Sequence, residues 1–373
     1  MKPRYPLFKH SNAQSTITHY YWTDMKSIRT MSSLIKSSLL SQSCTLADGR
    51  ILSYAEFGDP TGYPLMFFHG FPSSRLEAWF LDPIVQRKGI RLIVPDRPGF
   101  GRSTFQPNRQ FGHYPSDIQA LADHLELDQF AILGGSGGGP YALACAKDIP
   151  GRLSAVGLFA SAGPWGLEGN RGMRKELVKD IRPMTKLFAS AVKHAPRTMN
   201  VMTRMVSGTI CRLFSRKWVI AYVDKKIRQD DIKNLQKAEQ GKKVEGKDVD
   251  EQWILYNRQI LADREKMDKQ GGPGPGEQLT MAFKEIFHQG TAATMQEAAI
   301  LFSPWGFDVS TINYDKIQLW HGTKDINAPL SQIRYVVDRL PHCELKTYDA
   351  DHFELVKHIE EVLDDLVTDK VRQ

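Results

Sequence analysis

The chain has 373 residues, 41 % of them apolar and 24 % charged, with a formal net charge of +7. This length suits one large domain or two small ones, and the composition is that of an ordinary globular protein, not a fibrous or disordered one. So small an excess of charge does not argue for a nucleic-acid partner, and no apolar run approaches the roughly 20 residues of a membrane span.

The charge is uneven: about +5 over residues 1–40, about +8 over 165–300 and about −6 elsewhere. The first 44 residues are basic and serine-rich, with Asp24 their one acid and no apolar core of a secretory signal. They read as a disordered lead; cytoplasmic residence is expected, with mitochondrial import as the alternative. Cys44, Cys145, Cys211 and Cys343 lie far apart without metal-ligand spacing, so no disulfide framework is expected and a reducing compartment fits. No Asn-x-Ser/Thr sequon occurs.

After the lead, strand-like runs alternate with helix-like ones. The strands are expected at "RILSYAEFG" (50–58), "PLMFFHGF" (64–71), "RLIVPDRPG" (91–99), "QFAILGG" (129–135), "LSAVGLFASAG" (153–163), "KIQLWHG" (316–322) and "CELKTYD" (343–349). The second to sixth are apolar without alternation, as strands buried on both faces are. Between them, "YPSDIQALADHLEL" and "PYALACAKDI" have helical periodicity, the first with Ser116 and Asp117 placed as N-caps. This order predicts an α/β fold with a mostly parallel sheet. Residues 165–305 interrupt it with helical segments and two loop-like stretches, "KAEQGKKVEGKDVDEQ" and "KQGGPGPGEQ". They read as a helical insertion, with the α/β core over 45–164 and 306–373.

The stretch "AILGGSGGGPYALA" (131–144) sets one serine among five glycines. It lacks the lysine of a nucleotide-binding P-loop. It does fit a weak dinucleotide pattern, but no acid follows near the end of the next strand. Gly134-Gly135-Ser136-Gly137-Gly138 is also G-x-S-x-G between a strand and a helix. Such a turn lifts a serine hydroxyl above the sheet, and the glycines two before and two after remove side chains that would collide.

A serine needs a base, and the base an orienting acid, here in the chain order serine, acid, histidine. His342 precedes a strand and His358 lies in the last helix, whereas His352 follows a strand at the edge where Ser136 must sit. Asp325 leaves the preceding strand at that same edge. Asp315 precedes that strand, and Asp349 and Asp351 are too near His352 in sequence to brace it. The oxyanion donors are expected at the backbone N–H groups of Gly137 and Phe71, since Pro72 has none. His69 is expected to be buried and structural.

Five motifs, "FFHGFPSSR", "VPDRPGFGRS", "ILGGSGGGPYALA", "LWHGTKDINAP" and "DADHF", occur in the order and spacing of one family. Over about residues 45–370 the chain resembles α/β-hydrolases with a serine nucleophile and one large helical cap. Its cap exit, "AFKEIFHQG" to "SPWGFDVSTI", is similar to that of uncharacterised microbial and fungal members. The resemblance implies an eight-stranded, mostly parallel sheet, and it carries nucleophile, acid and base onto Ser136, Asp325 and His352. It also implies that Asp96 and Arg97 form a structural turn. Where the family often has glycine before the histidine, this chain has Asp351, a carboxylate able to raise the histidine's pKa.

These residues point to hydrolysis of an ester or related acyl bond in a small, lipophilic molecule, without metal or organic cofactor. A nucleophilic serine argues against dehalogenase and epoxide-hydrolase chemistry, which resemble this fold but use an aspartate there. Phe71 stands where proline iminopeptidases typically carry a second glycine. Thioester, lactone and C–C cleavage, acyl transfer, and a slow ligand receptor all remain open. The insertion is rich in methionine and holds Trp165, Trp218 and Trp253; these suit an apolar pocket or simply a lid interior. Its positive charge is a solvated face, or a hint of anionic substrates or peripheral contact with an anionic membrane.

Overall fold

The apolar runs without alternation are strands covered on both faces. In β3 (Tyr63–Phe68), Leu65 and Phe67 enter one core while Met66 and Phe68 enter the other. In β5 (Phe130–Gly135), Ala131 and Leu133 face the first core and Phe130 and Ile132 the second. Successive side chains in a strand point to opposite faces, so a run apolar at every position requires cover on both.

The structure is a computed structural model that describes residues 39–165, 171–241, 251–269 and 271–371. Residues 1–38 of the basic lead lie outside the described residues. The remaining strands are β1 (Gln42–Thr45), β2 (Ile51–Gly58), β4 (Ile90–Pro95), β6 (Leu153–Phe159), β7 (Ile317–Gly322) and β8 (Cys343–Tyr348). They form one eight-stranded sheet in the order β1-β2-β4-β3-β5-β6-β7-β8. β1 pairs antiparallel with β2 and β2 with β4; every later pairing is parallel. The sheet therefore begins at Gln42, within the segment read as lead.

Helices α1 (Asp82–Arg87), α2 (Tyr114–His124), α3 (Gly139–Asp148), α11 (Leu330–Val337) and α12 (Ile359–Val371) belong to the sheet region. Between β6 and β7 come α4 (Arg171–Val178), α5 (Pro183–His194), α6 (Pro196–Phe214), α7 (Lys217–Gly241), α8 (Glu251–Lys269), α9 (Pro275–Ile286) and α10 (Ala292–Leu301). Among the described residues no helix is long and apolar enough to cross a membrane.

Three local expectations need correction. Helix α2 starts at Tyr114, with His113 at its N-cap and Pro115 in its first turn. Ser116 is already helical and its hydroxyl donates to the His113 carbonyl at 2.9 Å, while Asp117 accepts two hydrogen bonds from Arg50. Lys237–Gly241, read as loop, closes α7, and Glu251 and Gln252 open α8; residues 242–250 between them lie outside the described residues. Finally, Pro275–Gln278 is the first turn of α9, where proline is suited because that turn's N–H groups have no helical acceptor.

Candidate active site

Ser136 follows directly on β5 and opens a 3-10 turn, Ser136–Gly138, that runs into α3. Its φ is +48°, a left-handed value that costs a residue with a side chain free energy. The surroundings hold it there. The Ala162 N–H donates to the Ser136 carbonyl at 2.8 Å. A Cβ at Gly134 would stand 2.7 Å from the Gly138 carbonyl oxygen, and one at Gly138 only 2.0 Å from that of Phe68. Strand and helix approach this closely only because both positions are glycine.

Asp325 lies three residues beyond the end of β7. One of its carboxylate oxygens, Oδ1, accepts the N–H groups of Asn327 and Ala328, each at 2.8 Å. The other, Oδ2, accepts from His352 Nδ1 at 2.6 Å, and His352 Nε2 stands 3.1 Å from Ser136 Oγ. With Nδ1–H given to the carboxylate, Nε2 is the ring atom free to accept the serine proton. The Asp325 side chain is fully buried and that of His352 is 12 % exposed.

The rejected candidates stand elsewhere. His358 ends a 3-10 turn just ahead of α12 and lies against the Tyr348 ring, 4.0 Å between centroids. Asp349 pairs with Lys324. Asp351 Oδ1 accepts the N–H groups of Phe353 and Glu354, and those amides hold its carboxyl below the usual range. That carboxylate caps the turn that follows His352.

Across from Ser136, a Cβ at Gly137 would stand 3.3 Å from the Phe71 nitrogen, so the two expected oxyanion donors share one locality. The loop that carries Phe71 is fixed from beneath. The buried Arg97 guanidinium donates to the carbonyls of His69 and Gly70, the latter at 2.7 Å. His69 Nδ1 also donates to the Gly70 carbonyl, at 3.0 Å, and its Nε2 accepts the Arg97 N–H at 3.3 Å. His69 is buried and neutral, since burial and then the Arg97 charge push its pKa well below the ordinary value. Asp96 accepts from Ser53 and from the backbone and side chain of Arg75. Asp96 and Arg97 thus bind the turn and the loop, as a structural pair would.

Two carboxylates here were not singled out in the sequence. Glu297 of α10 forms ion pairs with Arg97, at 2.8 Å, and with Arg109, and it accepts from the Tyr141 hydroxyl at 2.7 Å. Burial alone would lift its carboxyl, but Arg109 and Arg97 outweigh that and hold it below the usual range. Its signal was available: one acid in "AATMQEAAIL", an otherwise uncharged helix. Glu77 accepts the Gly70 N–H at 2.7 Å, and burial lifts its carboxyl above the usual range; nothing in its local sequence marks it. Among the described residues no cluster of three or more His, Cys, Asp or Glu is arranged to hold a metal ion.

The chain belongs to the alpha/beta hydrolase fold family, whose sequence profile matches residues 63–358. Over 116 residues it is 34 % identical to the dihydrolipoyllysine-residue acetyltransferase component of the acetoin cleaving system of Pseudomonas putida, covering 31 % of this chain and 31 % of that protein. Over 136 residues it is 34 % identical to lipase 1 of Psychrobacter immobilis, covering 35 % of this chain and 41 % of the lipase. The match thus spans less than half the length of either relative. An esterase from Exiguobacterium antarcticum superposes with a TM-score of 0.50 at 16 % identity, over 89 % of this chain and 99 % of the esterase; that is a likeness of fold.

Proposed function

We propose that this protein is a serine hydrolase that cleaves an ester bond of a small, lipophilic molecule through an acyl-enzyme. The observation that carries the reading is the hydrogen-bonded line from Ser136 Oγ through His352 to Asp325, at 3.1 and 2.6 Å. The Ser136 hydroxyl gives its proton to His352 Nε2 as its oxygen attacks the carbonyl carbon. Asp325 stabilises the resulting imidazolium and fixes its orientation. The N–H groups of Phe71 and Gly137 receive the developing oxyanion. Collapse breaks the ester C–O bond, and the proton on Nε2 passes to the leaving alkoxide. Water then repeats the sequence, with His352 as base, and releases the acid. The helices from α4 to α10 serve as a cap over the site, and their inward-facing apolar side chains select the acyl group. Lipase 1 among the relatives is in keeping with such a substrate.

The test is hydrolysis of p-nitrophenyl esters from acetate to decanoate by wild type and Ser136→Ala, beside labelling with a fluorophosphonate. Turnover and labelling in the wild type, both lost in Ser136→Ala, support the reading. Turnover equal in both proteins would remove Ser136 from the chemistry. A labelled wild type without turnover on any ester would favour a receptor role over hydrolysis.

A further inference from the structure

Helix α6 is apolar on two sides. Inward, Met199 packs against a cluster that includes Val192 and Met295, and the Phe214 ring lies 5.5 Å from that of Phe283. Outward, Val201, Met202, Met205 and Val206 are exposed, Met205 at 69 %. Their spacing puts all four on one helical face. Exposed apolar side chains continue on the neighbouring helices, with Met184 and Leu187 on α5 and Trp218 and Tyr222 on α7. Scattered exposed apolar residues are ordinary, but these eight on three successive helices, four on one face of α6, are denser than that and suit a surface with a partner.

Charge identifies that partner. Residues 181–223 contain eight lysines and arginines and no aspartate or glutamate. Arg197, Arg204 and Arg212 are exposed along α6; at 100° per residue Arg197 and Arg204 fall on one flank of the apolar face, and Arg212 falls in line with Val201 and Met205, two turns beyond Met205. Further along the chain the pattern changes: Arg228 pairs with Asp224 and Asp268, and Lys226 with Asp230. The cations of α6 thus sit in a stretch where the sequence supplies no counter-charge. A helix face of exposed apolar side chains flanked by unbroken positive charge suits the boundary of an anionic bilayer.

We propose that the outward face of α6, with the adjoining exposed residues of α5 and α7, docks on an anionic lipid surface. Met202, Met205 and Val206 enter the headgroup region while the arginine flank meets lipid phosphate and carboxylate groups. Trp218 suits the same depth, since its ring is apolar and its indole N–H polar. A second copy of the chain is disfavoured as the occupant, because a two-fold interface would set this positive flank against itself. The proposal does not depend on the chemistry assigned to Ser136.

The experiment is sedimentation of the full chain with vesicles of phosphatidylcholine alone or with about 30 % phosphatidylserine. Binding to the anionic vesicles is expected to be at least about tenfold tighter, and to weaken as salt rises from about 0.05 to 0.5 M. Arg197→Glu/Arg204→Glu/Arg212→Glu should lower the partition at least about tenfold, since each cation contributes about fivefold. Met202→Ser/Met205→Ser/Val206→Ser should lower it as well. Both variants should keep the unfolding midpoint and the turnover of a soluble ester. No binding to anionic vesicles, equal binding to neutral ones, or binding unchanged in both variants would overturn the proposal. So would light scattering that shows a dimer which the triple glutamate variant dissolves, because the face would then belong to a second copy.

Discussion

The guanidinium of Arg97 donates to the carbonyl of Gly70 at 2.7 Å, and this contact sets the direction of the next amide. In a trans peptide unit the N–H points opposite to the C=O. Holding the Gly70 carbonyl down onto Arg97 therefore turns the Phe71 N–H up, toward Gly137. Arg97 touches no reacting atom and is a positioning residue. A lysine would keep the charge but not the fork that reaches two carbonyls at once. Arg97→Lys is expected to lower kcat by about 10- to 100-fold with KM within about twofold, because in the proposed mechanism the Phe71 N–H acts mainly on the transition state. Steady-state kinetics on p-nitrophenyl acetate check this; a rise in KM with kcat intact would assign Arg97 to substrate binding instead.

Glu297 is the counter-ion for both Arg97 and Arg109, and all three side chains are buried. Removing its charge leaves two buried guanidinium groups without compensation. Glu297→Gln is expected to destabilise the fold by about 3–5 kcal/mol, read as a lower urea midpoint. Because the folded pKa is depressed, the contribution is present above the unfolded value of about 4.3 and is lost as pH falls through the folded one. The gap between wild type and Glu297→Gln should therefore narrow in acid. A gap independent of pH would mean that shape, and not charge, is what the position requires.

The elbow offers a paired test of close packing. At Gly138 a Cβ would meet the Phe68 carbonyl at 2.0 Å, while at Gly208 in α6 it would meet nothing within 4 Å. Gly138→Ala is expected to cost more than about 3 kcal/mol, since strand and helix cannot separate without moving Ser136. Gly208→Ala is expected to stabilise by about 0.5–1 kcal/mol through the lower helix cost of alanine. Urea unfolding of both variants checks the pair. A tolerated Gly138→Ala would mean that the helix start is looser than its geometry implies.

The same packing explains what the sequence made legible. Strands β3 to β7 stood out because burial on both faces writes a dense apolar run, while β2 and the edge strand β8 were legible as mixed runs between turn residues. β1 did not: "QSCT" is four residues at the sheet edge, with only Cys44 buried. Ser116 and Asp117 are N-cap types and draw the expected start of α2 too far along, whereas Pro115 marks the first turn that the structure shows. The residues 136, 325 and 352 could be brought together because each leaves a strand at one sheet edge, which topology alone decides. A lone acid in an uncharged helix marks Glu297, but its partners, Arg97 and Arg109, are 200 and 188 positions away, and only the closed fold joins them.

Two buried histidines make stability depend on mild acid. Burial lowers the pKa of His69, and also that of His321, whose Nε2 donates to the Ala328 carbonyl at 2.7 Å. Below the unfolded value of about 6.5 the unfolded chain binds protons that the folded one refuses, so stability falls as pH drops, by up to about 1.4 kcal/mol per unit for each ring. Glu77 acts in the opposite sense: its lifted carboxyl costs stability as pH rises through the ordinary carboxylate range. Urea midpoints should therefore decline from pH 7.5 to 5.5, and His321→Gln should flatten part of that decline. A flat wild-type profile would show both rings protonated in the fold.

Asp325 separates orientation from charge in the proposed mechanism. In Asp325→Asn the retained oxygen still accepts the Asn327 and Ala328 amides, which now take Oδ1 at 2.8 Å each, so the loop keeps its shape. The amide nitrogen then replaces Oδ2 beside His352 Nδ1. A nitrogen that carries its own protons cannot accept from the ring; it donates, and Nδ1 must become the acceptor. The ring proton moves to Nε2, the atom 3.1 Å from Ser136 Oγ, and that atom can no longer take the serine proton. Turnover is expected to fall by about 10⁴-fold in kcat with little change in KM, and fluorophosphonate labelling of Ser136 should slow in parallel. Stability should stay within about 1 kcal/mol of wild type, since both backbone amides remain satisfied. If Asp325→Asn kept turnover within tenfold of wild type, His352 would be held by something other than this carboxylate, and the acid of the triad would have to be sought elsewhere.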